Sequence, residues 1–212
     1  HRVDRRQRQM CIRDSLQDGS VLEDDLRCLA LMQHHGAPTR LVDFTKSPFV
    51  AAFFALWHLQ GDAAVFALNT PALWKAAPRF DPSLHRDVID LRKPGNYQRY
   101  FANNNHGLVW FGEPNQMDAR LVAQSGILVV PGMLDVPLET LLAGYDSDEP
   151  LLRKFILPAQ VREEALRALY RMNITAATLF PGLDGLARSI GYELEMVWEQ
   201  LIVDYRQRLS TD

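Results

Sequence analysis

Residues 33–57 read QHHGAPTRLVDFTKSPFVAAFFALW, and this stretch decides the fold because it joins three predicted elements. Apolar residues at helical spacing precede it and predict a helix over 21–34, which Gly36 ends. Residues 39–44 then predict a short strand. The apolar run that follows at once predicts a second helix over 48–59.

Capping residues predict where both helices begin. Ser20 and Glu23 have the spacing of a capping box in front of the first helix. Ser47 supplies an N-cap for the second helix, and Pro48 supplies its first-turn proline. Because the second helix has no polar face, we expect it to lie at the centre of the fold.

Short strands and helices alternate along the rest of the chain. Strands are predicted over 63–68, 108–111, 127–130 and 151–157. Helices are predicted over 71–77, 117–124, 135–143, 158–171 and 183–208. Residues 78–115 are otherwise expected to form long loops. The pattern predicts an α/β or α+β fold, a single domain with a long C-terminal helix.

The composition is that of an ordinary globular protein, with 212 residues of which 47% are hydrophobic and 23% charged. A net charge of -3 excludes a strong overall field for nucleic acid or for an anionic membrane. Two cysteines are too few for a disulfide framework, and no apolar run reaches the length of a membrane span. We therefore expect a cytoplasmic protein.

The first residues differ from the rest in composition. Residues 1–15 hold five arginines and two aspartates, a local charge of +3, and Met10 to Ser15 resembles translated adapter sequence. We interpret residues 1–17 as a disordered or non-native head and residues 18–209 as the domain.

Residues 33–45 form the densest cluster of polar functional groups. In an extended segment Asp43 and Thr45 share one face and point toward the next helix N-terminus, where backbone N–H groups can hold an anion. Simpler interpretations stay open. His34 and His35 suit the cap of a helix C-terminus, Arg40 and Asp43 suit a structural ion pair, and Thr45 suits a turn.

This cluster resembles the central motif of the FRG-domain family, Gln-His-x-Gly-x-Pro-Thr-Arg-Leu-x-Asp-x-Thr followed by Ser-Pro. Segments 120–126 and 179–187 agree with the family as well, so the resemblance covers about 21–191. The Phe/Tyr-Arg-Gly triplet that gives the family its name is absent. Its expected position lies before residue 20, and we therefore expect the chain to be truncated. The family resemblance implies no established reaction.

A second resemblance suggests a mechanism. Thr45-Lys46-Ser47 and the helix after it are similar to the Ser-Thr-Ser segment of arginine-serine-glutamate ADP-ribosyltransferases, and Gln124 stands where their Glu-x-Glu precedes a strand. The resemblance implies NAD as cofactor, with Thr45, Gln124 and Asp43 as catalytic candidates. Gln124 is a neutral amide, which holds a ribose hydroxyl but does not stabilise a developing positive charge. The resemblance implies an ADP-ribosyltransferase-like fold with ADP-ribosyl transfer or NAD cleavage as its activity, and NAD binding without efficient transfer stays open beside it.

The remaining candidates surround the nucleotide in this hypothesis, and Arg120 shares a helix face with Gln124. The cofactor-binding candidates are Gln33, His34, His35, Gly36, Thr39, Arg40, Ser47 and Arg120. We expect a nucleotide-like small molecule as partner and no metal. Two alternatives remain. One is a non-catalytic binding module for nucleic acid or protein, and the other is a metal-assisted nuclease or phosphoesterase that uses the His, Arg and Asp side chains of residues 34–43.

Overall fold

The computed structural model describes residue 21 and residues 24–58 and 61–209. The α-helices are α1 Asp25–His34, α2 Pro48–Trp57, α3 Thr70–Lys75, α4 Ala119–Ala123, α5 Leu138–Ala143, α6 Arg162–Arg171, α7 Ala176–Leu179, α8 Leu183–Tyr192 and α9 Glu199–Leu209. The strands are β1 Val42–Thr45, β2 Ala63–Leu68, β3 Ala77–Pro78, β4 Val109–Gly112, β5 Gly126–Pro131, β6 Tyr145–Asp146 and β7 Leu152–Leu157. These elements confirm the mixed α/β class.

The strands form small sheets. One sheet has the order β1-β5-β4, and its central strand β5 is buried along most of its length. Strand β4 pairs antiparallel with β5, so that Val109 lies opposite Pro131 and Gly112 opposite Leu128. The other two sheets are the pairs β2-β7 and β3-β6.

The chain divides into two compact units and passes between them several times. Of the described residues, unit 1 comprises those up to residue 44 together with 66–117 and 127–153. Unit 2 comprises the described residues within 45–65, 118–126 and 154–209. The core of unit 1 includes Leu73, Val109, Phe111, Val129, Leu141 and Tyr145. The core of unit 2 includes Val50, Phe53, Leu56, Leu166, Leu169 and Leu179.

Helix α1 ends as predicted but begins later. The carboxylate of Asp24 caps it and accepts a hydrogen bond from the Arg27 N–H at 3.0 Å. The predicted capping box of Ser20 and Glu23 lies outside the described residues. Gly36 adopts a φ of +81°, which an L side chain rarely adopts, and so the helix stops at His34.

Helix α2 begins as predicted but is not central. The Ser47 hydroxyl accepts from the Val50 N–H at 3.4 Å, which confirms the N-cap. Only Val50, Phe53 and Leu56 are buried, because α6 covers one side of the helix, and Phe49 is 51% exposed. The helix contributes one side to the core of unit 2, so the expectation that it lies enclosed at the centre of the fold is wrong.

Most of the other predicted elements form, with shifted ends. Strand β2 has the predicted bounds, and β5 extends one residue beyond its predicted bounds at each end. Strands β4 and β7 each begin one residue later than expected. Residues 97–101 form a π-helical stretch that the sequence did not indicate. The predicted C-terminal helix also forms, but residues 193–198 are π-helical between α8 and α9. Within the described ranges, none of the helices combines the length and the apolar composition needed to span a membrane.

A buried tyrosine makes the stability of unit 1 fall at alkaline pH. The Tyr145 hydroxyl accepts from the Val109 N–H at 2.7 Å and donates to the Val109 carbonyl at 3.3 Å. Burial raises the pKa of Tyr145 from 10.0 to about 12. The neutral phenol therefore stabilises the fold fully below pH 10, and this contribution is lost as the pH rises through 12.

Urea denaturation should show this loss as a fall of about 2 kcal/mol in the free energy of unfolding between pH 10 and pH 12. The variant Tyr145→Phe removes the titrating group. It should be less stable at neutral pH, because the Val109 N–H loses its partner, and it should fall less steeply above pH 10. Equal slopes for the two proteins would contradict the assignment.

Candidate functional site

Residues 33–45 carry the family motif, and we call them the motif segment. Three of their side chains form a hydrogen-bonded chain in unit 1. The Gln33 amide donates to Asp43 Oδ1 at 2.7 Å, and the Thr39 hydroxyl donates to Gln33 Oε1. Thr39 Oγ1 also accepts from the Leu41 N–H at 3.2 Å. These bonds fix the loop between α1 and β1 and orient the exposed Asp43 carboxylate.

Arg40 belongs to this loop, but its side chain points inward and the residue is only 9% exposed. Its Nη1 donates to the Phe101 carbonyl at 2.6 Å and to the Pro131 carbonyl at 3.3 Å, and its guanidinium lies 5.6 Å from the centroid of the Tyr97 ring. Arg40 therefore joins the π-helical stretch 97–101 to the end of β5. The alternative of an ion pair between Arg40 and Asp43 does not form, since the carboxylate accepts from Gln33 instead.

The two histidines lie at the C-terminus of α1. His34 occupies the last turn, His35 is the C-cap, and both are exposed together with Gly36. Their rings meet edge to face with centroids 5.2 Å apart. This placement suits helix capping. Over the described part of the chain, no three His, Cys, Asp or Glu side chains are grouped so that they could hold a metal ion.

The catalytic candidates Thr45 and Gln124 are brought together in unit 2. The Thr45 hydroxyl donates to the backbone carbonyl of Gln124 at 2.7 Å and accepts from the Ser47 N–H at 3.1 Å. The Lys46 N–H donates to the Ser125 carbonyl at 2.9 Å. Thr45 thus joins the beginning of α2 to the end of α4, and its hydroxyl proton is directed at a backbone oxygen.

The side chain of Gln124 points to the segment before α8. Its Nε2 donates to the Leu179 carbonyl at 3.0 Å, and the neighbouring Arg120 guanidinium lies 5.3 Å from the centroid of the Phe180 ring. The shared helix face predicted for Arg120 and Gln124 is thus directed at residues 179–180. In this structure the amide of Gln124 holds two chain segments together.

The hydrogen bond from Gln124 to Leu179 predicts the effect of introducing an acidic residue at this position. Gln124→Glu replaces the donor with a carboxylate that faces the Leu179 carbonyl, so we expect a loss of about 2 kcal/mol in the free energy of unfolding. Gln160→Glu, at an exposed position, is the matched control and should be nearly neutral. Thermal and urea denaturation measure both. A fully stable Gln124→Glu protein would show that the amide is not needed there.

A cavity that the sequence did not indicate lies in unit 1. It measures about 350 Å³ and is lined by Thr70, Pro71, Trp74, Lys75 and Phe111. Trp74 is 47% exposed. Within the region that the structure describes, neither the Thr70 hydroxyl nor the Lys75 ammonium has a hydrogen-bond partner.

Arg86 fixes the aromatic wall of this cavity. Its guanidinium is buried, lies 3.7 Å from the centroid of the Trp74 ring, and donates through Nε to the Phe111 carbonyl at 3.1 Å. Nη1 also contacts the exposed Asp87 carboxylate at 3.2 Å. Burial lowers the pKa of Arg86, and the carboxylate of Asp90 opposes this shift. No local pattern joins residues 70–75 to Arg86 and Phe111, so sequence reasoning missed the cavity.

Comparison with known families bears on the motif segment. The model of the FRG domain matches residues 4–62, which include α1, β1 and α2, and this confirms the family resemblance. The match also includes most of the segment 1–17 that composition sets apart. Neither the curated proteins nor the solved structures gave a match to the chain.

Proposed function

We propose that this FRG-domain protein binds a nucleotide-like ligand in the cavity beside Trp74, with the base or nicotinamide ring on the indole and a phosphate at Lys75. One observation carries the proposal: a half-exposed aromatic side chain and an ammonium that has no partner among the described residues line the same cavity of about 350 Å³. This volume lies near the lower end of the range for small-molecule sites, which combine apolar walls with a few polar groups.

The rigidity of Trp74 supports the binding of a planar ring. The Arg86 guanidinium stacks on the indole at 3.7 Å, so the ring is already held before a ligand arrives. Base stacking on an aromatic side chain contributes about 1–3 kcal/mol, and a wall that is already ordered loses little entropy on binding. Pro71 and Phe111 extend the apolar lining on which a ring can pack.

The charges around the cavity support an anionic substituent on that ring. Lys75 has no carboxylate partner among the described residues, and ammonium groups form charge-assisted hydrogen bonds with phosphate. Behind the wall, Asp87 contacts the Arg86 guanidinium at 3.2 Å and Asp90 contacts the Arg92 guanidinium at 2.7 Å, so these four charges balance one another. The Lys75 ammonium therefore supplies the attraction for an anion.

The geometry of the transferase-like candidates favours binding over transfer. The hydroxyl of Thr45 and the amide of Gln124 both donate to backbone carbonyls, and neither group is free to orient a ribose without giving up its present bond. We therefore propose a nucleotide-binding protein without efficient ADP-ribosyl transfer. Nucleotide contacts by the motif residues 33–43 remain a prediction that the same experiments test.

Titration calorimetry with NAD, ADP-ribose and ribose 5-phosphate tests the proposal. NAD and ADP-ribose should bind, and ribose 5-phosphate should bind far more weakly because it has no aromatic base to stack on the indole. Trp74→Ala should reduce the affinity for NAD by about tenfold or more, since it removes the stacking surface. Phe80→Ala, which also removes an exposed aromatic ring from unit 1, is the control and should bind as the wild type does.

Three results would contradict parts of this proposal. The absence of measurable binding by all three compounds would refute nucleotide binding. A loss of affinity in Asp43→Asn, with none in Trp74→Ala, would place the site at the motif segment instead. Release of nicotinamide from NAD during incubation with the protein would show that the chain also cleaves the ligand.

A further inference from the structure

The C-terminal helical stretch of unit 2 carries a long apolar surface that remains open. It comprises α8, the π-helical residues 193–198 and α9. Six of its large apolar side chains recur three or four positions apart, and each is between 48% and 64% exposed. They are Leu186, Ile190, Leu194, Trp198, Leu201 and Tyr205, and we call them the C-terminal stripe.

These residues lie on one side of the stretch because they recur at steps of three or four positions. Another side of α8 already packs on α7, where Gly185 and Ser189 are buried. The helix is therefore anchored to unit 2 by one face while the stripe faces solvent. The 27 residues from Leu183 to Leu209 span about 40 Å, which is long enough for an extended helix-to-helix contact.

We propose that the C-terminal stripe is the interface through which two copies of this chain form a homodimer. Together with Leu183 and Leu209, which lie just beyond its two ends, the stripe exposes as much surface as about five fully exposed residues. This surface is roughly 750 Å² per copy. A standard interface buries about 800 Å² per partner, whereas the largest apolar patch of a typical monomer is about 300–600 Å².

The chemistry of the stripe points to a second copy as the partner. Its six positions carry no charged side chain, so the partner must offer an apolar ridge of similar length. The same helix on another copy offers that ridge, and two-fold symmetry sets identical patches against each other. Leucine and aromatic side chains at these steps can interdigitate as they do between paired helices.

Light scattering coupled to size exclusion tests the dimer. At about 50 μM the wild type should have a mass near 48 kDa, twice the chain mass of 24.2 kDa. The double variant Leu194→Glu and Leu201→Glu should be monomeric, with a dissociation constant raised about 100-fold or more. Val122→Glu, which places the same charge at an apolar position 58% exposed on α4, should remain dimeric.

Circular dichroism on each variant establishes that a monomeric mass does not reflect unfolding. A monomeric wild type at about 50 μM, or a double variant that stays dimeric, would overturn the proposal. Because the stripe belongs to unit 2 and the Trp74 cavity to unit 1, the double variant should bind NAD as the wild type does. Failure of the dimer and failure of nucleotide binding are thus separate results.

Discussion

Gly185→Ala should lower the free energy of unfolding by about 4 kcal/mol, near the upper limit for a single methyl group. Gly185 lies in α8, where an added Cβ would overlap the backbone oxygen of Phe180 and would lie 2.8 Å from that of Ala176. Both atoms belong to the backbone of α7 or the turn after it, so no side chain can rotate away. The helix would have to move off the segment on which it packs.

Gly191 provides a matched control in the same helix. A Cβ at this position meets no atom within 4 Å, and Gly191→Ala should leave the protein equally stable or up to about 1 kcal/mol more stable. Urea denaturation of the two variants beside the wild type measures the difference. Equal effects of the two substitutions would show that helix propensity, and not the close approach of α8 to Phe180, decides the result.

The comparison of these glycines indicates what the sequence can reveal. Gly36 was predictable as a helix end, because a glycine after a periodic apolar run favours a positive φ. Gly185 was part of a segment that resembles the FRG family, but its role depends on Phe180 and Ala176, which a folded turn brings beside it. Local signals predict where elements begin and end, and they do not predict which backbones approach each other.

The same limit explains the error at α2. Its apolar residues predicted a helix, and Ser47 predicted where it begins, but hydrophobicity alone could not show that only one side is covered. Phe49 is left 51% exposed and Phe54 42% exposed because α6 packs against the side of Val50, Phe53 and Leu56. The spacing of apolar residues shows which face of a helix is buried only when polar residues occupy the opposite face.

The candidate site was predictable in part. The resemblance to ADP-ribosyltransferases paired Thr45 with Gln124, which are 79 positions apart, and a hydrogen bond joins these two residues. The bond reaches the backbone carbonyl of Gln124, however, while its side chain turns to Leu179. The Trp74 cavity was not predictable, because its lining depends on β4 passing beside α3, and residues 78–115 carry no periodicity that fixes this path.

The buried guanidinium behind that cavity gives the second large effect, since Arg86→Leu should lower the free energy of unfolding by about 3–4 kcal/mol. The leucine cannot donate to the Phe111 carbonyl, and it leaves the space between Trp74 and Trp110 partly empty. The neighbouring carboxylate of Asp90 keeps its contact with Arg92 at 2.7 Å. Asp87 loses its contact with Arg86 at 3.2 Å, but this carboxylate is exposed to water. The loss therefore arises mainly from the packing against Trp74 and Trp110 and from the Phe111 carbonyl.

Two further substitutions separate charge from geometry at this position. Arg86→Lys keeps the positive charge but loses the planar group that stacks on Trp74 at 3.7 Å, so we expect about 2 kcal/mol of destabilisation. Arg79→Leu, at an exposed position in the same unit, should cost almost nothing. If Arg86→Lys were as stable as the wild type, the charge alone would suffice. In that case Trp74 would not need the stacked guanidinium to hold its ring, and Arg86→Lys would also bind NAD with wild-type affinity.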